Sequence, residues 1–336
     1  MTSTEYYALI ERSIDSWKSI NFVWKDKAAS HRRCADLLRT LQSIEALLTN
    51  AQFWFFQQRS RFLAQSTLPK WDPGNLGEYI LLPIDYGFVN NEDCFFVSHY
   101  WHTPQHPDPK GEDLRSFQHD LAQLDWSYVW VDFTCLPQWP RTAEQETYFI
   151  RTLTSIPMLV RDCAFEWRFP SFEPRAWILF EVAENLFSHT EHTMTEDVAP
   201  FMSHLREMTV QGVQPVMAKY GYRCTNGGDL PLVTGWLELL IILFRICAHK
   251  SDMQEILDWV NRGDVEIYTA RPLNIHVDKG KGIVRHGEIE HKFTPLPFIS
   301  MTERVTVNAD KSERSDSTHT LIACDPPVEA RTGSGS

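Results

Sequence analysis

The stretch Phe95–Pro109, FFVSHYWHTPQHPDP, opens as an apolar strand and turns within a few residues into serine, histidines, aromatics, prolines and aspartate. A second stretch, YVWVDFTCLP at Tyr128–Pro137, makes the same change, from a β-branched and aromatic run to polar groups. Between them, GEDLRSFQHDLAQLD places Leu114, Phe117, Leu121 and Leu124 on one helical face. Next come TAEQETYFIRTLTSI, a helix with Thr142 as a cap and Glu146 one residue late for a capping box, and MLVRDCAFEW, read as a third strand. EPRAWILFEVAENLF then reads as a helix starting near Pro174, since proline is tolerated in a first turn. Strands alternating with helices of this length predict an α/β fold, a parallel sheet with helices on both faces. In such sheets ligands bind beyond the carboxyl ends of the strands, where SHYWH and DFTCLPQ fall.

Outward from this unit the pattern is helical. From Glu5 to Ala64, leucines and aromatics at Leu37, Leu41, Ile44, Leu48 and Phe55 keep helical steps and predict a helical hairpin broken near Trp24–Ala28. A connection rich in proline and glycine follows. Beyond the α/β unit, PFMSHLREM, WLELLIILFRIC and MQEILDWVNR are helical, RPLNIHVDKGKGIVRHGEIEHKFTPLPF is extended chain turning at Gly280 and Gly282, and Ser, Thr, Asp, Lys and Arg dominate the end. The expected organisation is a helical region at 1–75, the α/β domain at 76–190, a mostly helical region at 191–301 and a disordered tail at 302–336.

Composition excludes some functions. With 336 residues, 43% hydrophobic and 12% aromatic, the chain can bury a large core. A net charge of −12 argues against a nucleic-acid partner, because neutralising phosphates takes clustered Lys and Arg. No leader pattern opens the chain, and the longest apolar run, Trp236–Ala248, carries Glu238 and Arg245 and is too short to cross a bilayer. Seven scattered cysteines without a CxxC pair suit a reducing compartment, so a cytoplasmic location without membrane attachment is expected.

Several residues could carry chemistry. His99, His102, His106 and His119 are potential zinc ligands, but Pro104 and Pro107 break the local helix and no carboxylate has metal-motif spacing, so no metal is assigned. Cys135, at a strand end, is either a nucleophile or a small buried hydrophobe. Asp132 directly follows YVWV and sits at the open edge of the sheet, for ligand contact or as a loop cap. Trp177 and Glu181 are four apart on a helix and share a face, so a carboxylate lies beside an indole, a setting that can raise its pKa for proton transfer or cation stabilisation. Glu184 on the same helix is expected to face water.

FFVSHYW, YVWVDFTCLPQ and RAWILFE, with HPDP-x-G between the first two, together resemble the TIR-like family in its SH-x-W, VWVD, CLPQ, R-x-W-x-L-x-E variety, related more distantly to fungal heterokaryon-incompatibility domains. The resemblance covers Asp93–Phe187, and the tract YRCTNGGDLPLV at Tyr222–Val233 is associated with it. It implies a flavodoxin-like fold and, in catalytic members, cleavage of the nicotinamide N-glycosidic bond of NAD. The family's W-x-x-x-E glutamate falls on Glu181 and its strand-end serine on Ser98. The HYWHTPQHP loop departs from the usual TIR loop.

This reading makes Glu181 the catalytic carboxylate. It assigns substrate contacts to Ser98, His99, Trp101, Asp132, Arg175 and Trp177: indoles to stack on planar rings, Arg175 to meet a pyrophosphate. Core packing for Trp177 and pairing with Glu173 or Asp132 for Arg175 are the structural alternatives. No cofactor is expected, NAD or a related nucleotide entering as substrate, and a homo-oligomer is compatible. Two other readings stay open, a non-catalytic signalling or assembly module and a nucleoside or metabolite transferase using the same pocket.

Overall fold

The computed structural model describes residues 3–21, 27–50, 53–84, 87–103, 105–169, 171–188, 196–262 and 265–296. The expected tail at 302–336 lies outside them, as does most of the predicted break near Trp24. Three helices open the chain, α1 (Ser3–Ser16), α2 (Lys27–Thr40) and α3 (Ile44–Asn50). Then follow β1 (Phe53–Gln58), α4 (Arg59–Ala64), β2 (Tyr79–Pro83), β3 (Cys94–His99), α5 (Glu112–Ala122), β4 (Tyr128–Val131) and the single turn α6 (Asp132–Cys135). The unit closes with α7 (Ala143–Asp162), β5 (Ala164–Arg168) and α8 (Ala176–Ser188).

The fold is α/β, but the sheet is mixed. Its order is β2-β1-β4-β3-β5; β4, β3 and β5 run parallel, while β1 is antiparallel to both its neighbours. This corrects the wholly parallel sheet and the purely helical reading of the first 75 residues, because β1 comes from that region. Phe53, Trp54, Phe55 and Phe56 are all buried, so the strand shows no polar alternation, and a short run of that kind has no period to separate it from a helix. β2 closes one edge, and α1 covers it: Ser13 Oγ accepts the Leu81 N–H at 2.9 Å, the Trp17 indole donates to the Leu81 carbonyl at 2.7 Å, and Arg12 donates to the Tyr79 carbonyl. Side chains thus satisfy backbone groups that an exposed edge would offer to another strand.

Alternation along β3 and β4 divides the core. Phe95, Val97, Val129 and Val131 pack with Leu114, Phe117 and Leu121 of α5, whereas Phe96 and Trp130 stack at 4.9 Å on the opposite side, within the larger core that includes Leu159 of α7 and Leu179 of α8. Helices therefore cover both faces. The connection after β3 leaves to one face and that after β4 to the other, so the order reverses between β3 and β5.

Local chemistry sets the element ends. Thr142 caps α7, with Gln145 rather than Glu146 completing the capping box. α7 runs on to Asp162, so the third strand starts at Ala164, later than MLVRDCAFEW suggests. The HPDP-x-G segment docks α5: Asp108 accepts the Glu112 and Leu114 N–H groups at 2.9 and 2.8 Å, a contribution of about 1 kcal/mol for a cap of this kind. Gly111 there has φ +67°, and a Cβ would meet the Ser66 carbonyl oxygen at 2.7 Å.

The remaining chain forms α9 (Ala199–Gln211), α10 (Val213–Tyr220), α11 (Leu230–Ile246) and α12 (Lys250–Val260). The extended segment forms an antiparallel sheet in sequential order, β6 (Ile267–Ala270), β7 (Ile275–Asp278), β8 (Ile283–His286) and β9 (Ile289–Lys292). α11 and α12 pack against α8, the helix that carries Glu181. Among the described residues no helix is long and apolar enough to cross a membrane.

Candidate active site

Beyond the carboxyl ends of β3 and β4 lies a cavity of about 720 Å³. Its position matches the rule that open α/β sheets bind ligands beyond the carboxyl ends of their strands. All seven residues assigned from the sequence to catalysis or substrate contact line it: Ser98, His99, Trp101, Asp132, Arg175, Trp177 and Glu181. They arrive from β3, the loop after it, the start of α6, the residue just before α8 and the first turns of α8.

Glu181 is 9% exposed, and Ser98 Oγ donates a short hydrogen bond to its Oε2. Burial dominates its ionisation and pushes the carboxyl from the ordinary 4.5 up to about 8; the Ser98 hydroxyl and His99 oppose that shift, and the Asp132 charge adds to it. Burial thus favours the neutral, protonated form of Glu181 at physiological pH. The folded state binds this proton more tightly than the unfolded chain, so the associated stabilisation is complete below about 4.5 and is lost as pH rises to about 8. Glu181→Gln, which stays neutral, is expected to melt progressively higher than wild type across that range. Thermal melts of both proteins over the interval check this, and parallel curves would refute it.

Asp132 is more open, its side chain 39% exposed. Its Oδ2 accepts the Trp101 indole N–H at 2.8 Å and its Oδ1 accepts the Phe133 N–H at 2.6 Å. Asp132 therefore hydrogen-bonds its own loop, the structural alternative, and also lines the cavity. His99 is buried behind it: Nδ1 donates to the Tyr100 carbonyl at 3.1 Å, and Nε2 lies 3.6 Å from Asp132 Oδ1. Burial alone would lower the imidazole pKa, but the neighbouring Asp132, with Asp113 and the Tyr100 carbonyl, raises it overall.

Arg175 takes the pairing expected as its alternative, donating to Glu173 at 3.0 Å and to Thr225 at 3.1 Å, and still lines the cavity. Trp177 is half-buried, edge-on to Phe180, with its indole donating to Asp229 at 3.2 Å. Glu184 contradicts the sequence expectation. It is fully buried and pairs with Arg161 at 2.6 Å, because α11 and α12 cover the side of α8 that the α/β unit alone would leave to water. Cys135 is also fully buried, its thiol pushed up to about 12 by burial, which leaves it inert as a nucleophile.

The histidine loop is a structural brace. His102 contacts Asp113 at 2.8 Å and His106 contacts the Leu68 carbonyl at 3.1 Å. His102, Asp108 and Asp113 place ligand-type atoms within 4.8 Å of one another, but both Asp108 oxygens already accept α5 amides, and a helix cap accounts for the cluster.

The cavity residues that escaped the sequence reading include Lys70, Trp139, Arg141 and Arg223. Trp139 and Arg141 directly follow CLPQ, and Arg223 lies in the YRCTNGGDLPLV tract, so proximity to the motifs was a usable signal. Lys70 carried none. Arg141 sits 3.3 Å over the Phe149 ring and pairs with Glu146 at 2.9 Å, Trp139 is 76% exposed, and a backbone bridge joins Arg223 to Arg175. The cavity therefore has an acidic, aromatic interior and a lining that also holds four cationic side chains.

No family model, curated protein or solved structure matches the chain. The TIR-like resemblance rests on its motif residues.

Proposed function

We propose that the protein is a TIR-like enzyme that cleaves or transfers at the N-glycosidic bond of NAD or a related nucleotide, with Glu181 as the catalytic carboxylate. The observation that carries this reading is the convergence of Glu181, Ser98 and Asp132 in one cavity walled by Trp101 and Trp177. The parallel strands support the flavodoxin-like assignment, since β4-β3-β5 is a second-first-third order, the beginning of the flavodoxin arrangement.

The chemistry follows from charge. Breaking a ribosyl–pyridinium bond develops oxocarbenium character, which a carboxylate fixed nearby stabilises in a water-poor site. A pyridinium entering beside Glu181 favours the ionised form and reverses the effect of burial, so the ligand itself generates the carboxylate. Lys70, Arg141, Arg175 and Arg223 are suited to a pyrophosphate, and the indoles to planar rings.

The raised pKa of Glu181 favours a second reading, a nucleoside transferase, because a neutral nucleobase leaves more easily when a protonated carboxyl donates to it. Mass spectrometry of purified protein incubated with NAD, and separately with purine and pyrimidine nucleosides, separates the two. Nicotinamide with an ADP-ribose product is expected. Intact NAD with release of a free nucleobase would replace the first reading by the second, and intact substrates throughout would leave a binding or assembly module.

A further inference from the structure

We propose that Asp132 is the base that takes the proton from the acceptor, water or a hydroxyl, as the glycosidic bond opens, and that His99 and Trp101 are positioning residues for its carboxylate. The inference rests on the role proposed for Glu181 and adds a second group to it.

Two carboxyl groups meet at one step of the sheet. Val97 pairs with Val131 in the parallel register, so Ser98 and Asp132 are the next residues on adjacent strands. Ser98 binds Glu181, which comes from α8, and Asp132 enters from the end of β4. Their surroundings differ. Glu181 is closed in, whereas Asp132 presents a 39% exposed side chain to the same cavity, so an incoming hydroxyl can reach it. Carboxyl pairs whose environments are set apart in this way divide the tasks of cation stabilisation and proton transfer.

The Asp132 carboxylate is aimed from three sides. The Trp101 indole holds Oδ2, the Phe133 amide holds Oδ1, and His99 Nε2 lies 3.6 Å from Oδ1. Each carboxylate oxygen has two lone pairs, so Oδ2 keeps capacity for an acceptor proton. His99 Nε2 is buried and has no hydrogen-bond partner among the described residues. With Nδ1 committed to the Tyr100 carbonyl, the ring turns its second nitrogen towards Asp132; Asp113 of α5 acts on the same ring.

The step balances without another reactant. The bond from the anomeric carbon to the pyridinium nitrogen breaks, its electron pair going to nitrogen, and neutral nicotinamide leaves. The acceptor oxygen bonds the anomeric carbon, its proton passes to Asp132, and Asp132 returns it to solvent. Glu181 stabilises the cation and is not consumed.

A competing acceptor that has no proton to lose isolates this step. Protein is incubated with NAD and acetylpyridine, and the ADP-ribose formed by hydrolysis is compared with the dinucleotide formed by base exchange. Asp132→Asn is expected to lower the ratio of hydrolysis to exchange by about 100-fold. Trp101→Phe should lower it in the same direction by less. Glu181→Gln should suppress both products together and leave the ratio unchanged. Because both products come from one sample, a misfolded fraction cancels from the ratio. An Asp132→Asn ratio equal to wild type overturns the proposal while leaving Glu181 in place; a wild type that forms neither product overturns the Glu181 reading and this inference with it.

Discussion

Glu181→Gln is expected to lower nicotinamide release from NAD by about a thousandfold, an effect at the upper end of what one preorganised electrostatic group supplies. The substitution keeps the volume, and the amide oxygen can still accept the Ser98 hydroxyl, so the change removes charge and little else. The loss should fall on kcat rather than KM, because the interaction forms mainly as positive charge develops on the ribose. The same substitution should make the protein more stable towards and above pH 8, since Glu181 is buried at a cost that only its chemistry would justify. Rate measurements by mass spectrometry with saturating NAD, alongside melting curves, test both halves. A glutamine variant within tenfold of wild type would remove Glu181 from the mechanism whatever its effect on stability.

The parts of this site legible in the sequence share one property: their signal is local. Ser98 and Asp132 stand where apolar runs give way to polar residues, which marks a strand end irrespective of what packs around it. Trp177 and Glu181 are joined by helical spacing. Features that depend on distant chain were lost. β1 takes its place only by pairing with β2 and β4, and its aromatic run FWFFQQ continues the helical steps set by Leu37 to Leu48. Its aromatic enrichment was the available cue. Lys70 reaches the cavity from a connection with no motif. Glu184 was misplaced for the same reason, because the helices that bury it lie more than forty residues further along the chain.

That burial leads to the largest stability effect expected. Arg161, on α7, has a side chain only 4% exposed; it donates to Glu184 of α8 at 2.6 Å and lies 2.9 Å from Asp258 of α12. One guanidinium thus ties three helices, and two of its partners are acids in a poorly solvated interior. Arg161→Leu removes the cation and leaves both acids in place, so a loss of about 3–5 kcal/mol is expected, the range for breaking a buried ion pair from one side. Replacing Arg161 and Glu184 together by Met and Leu should recover much of it, because the principal uncompensated charge goes as well. Urea unfolding of the three proteins measures the difference, urea being preferred because guanidinium would screen the ion pairs. If Arg161→Leu cost less than about 1 kcal/mol, the value of an exposed surface pair, the cluster would not be holding α12 and α8 together. If the double variant were no better than the single one, the guanidinium would matter for its packing and its bonds to other groups rather than for neutralising Glu184. The predicted order, wild type above the double variant above Arg161→Leu, follows only if the interior is dry enough for an unbalanced carboxylate to be costly, which is the same condition that raises the pKa of Glu181 one turn earlier on α8.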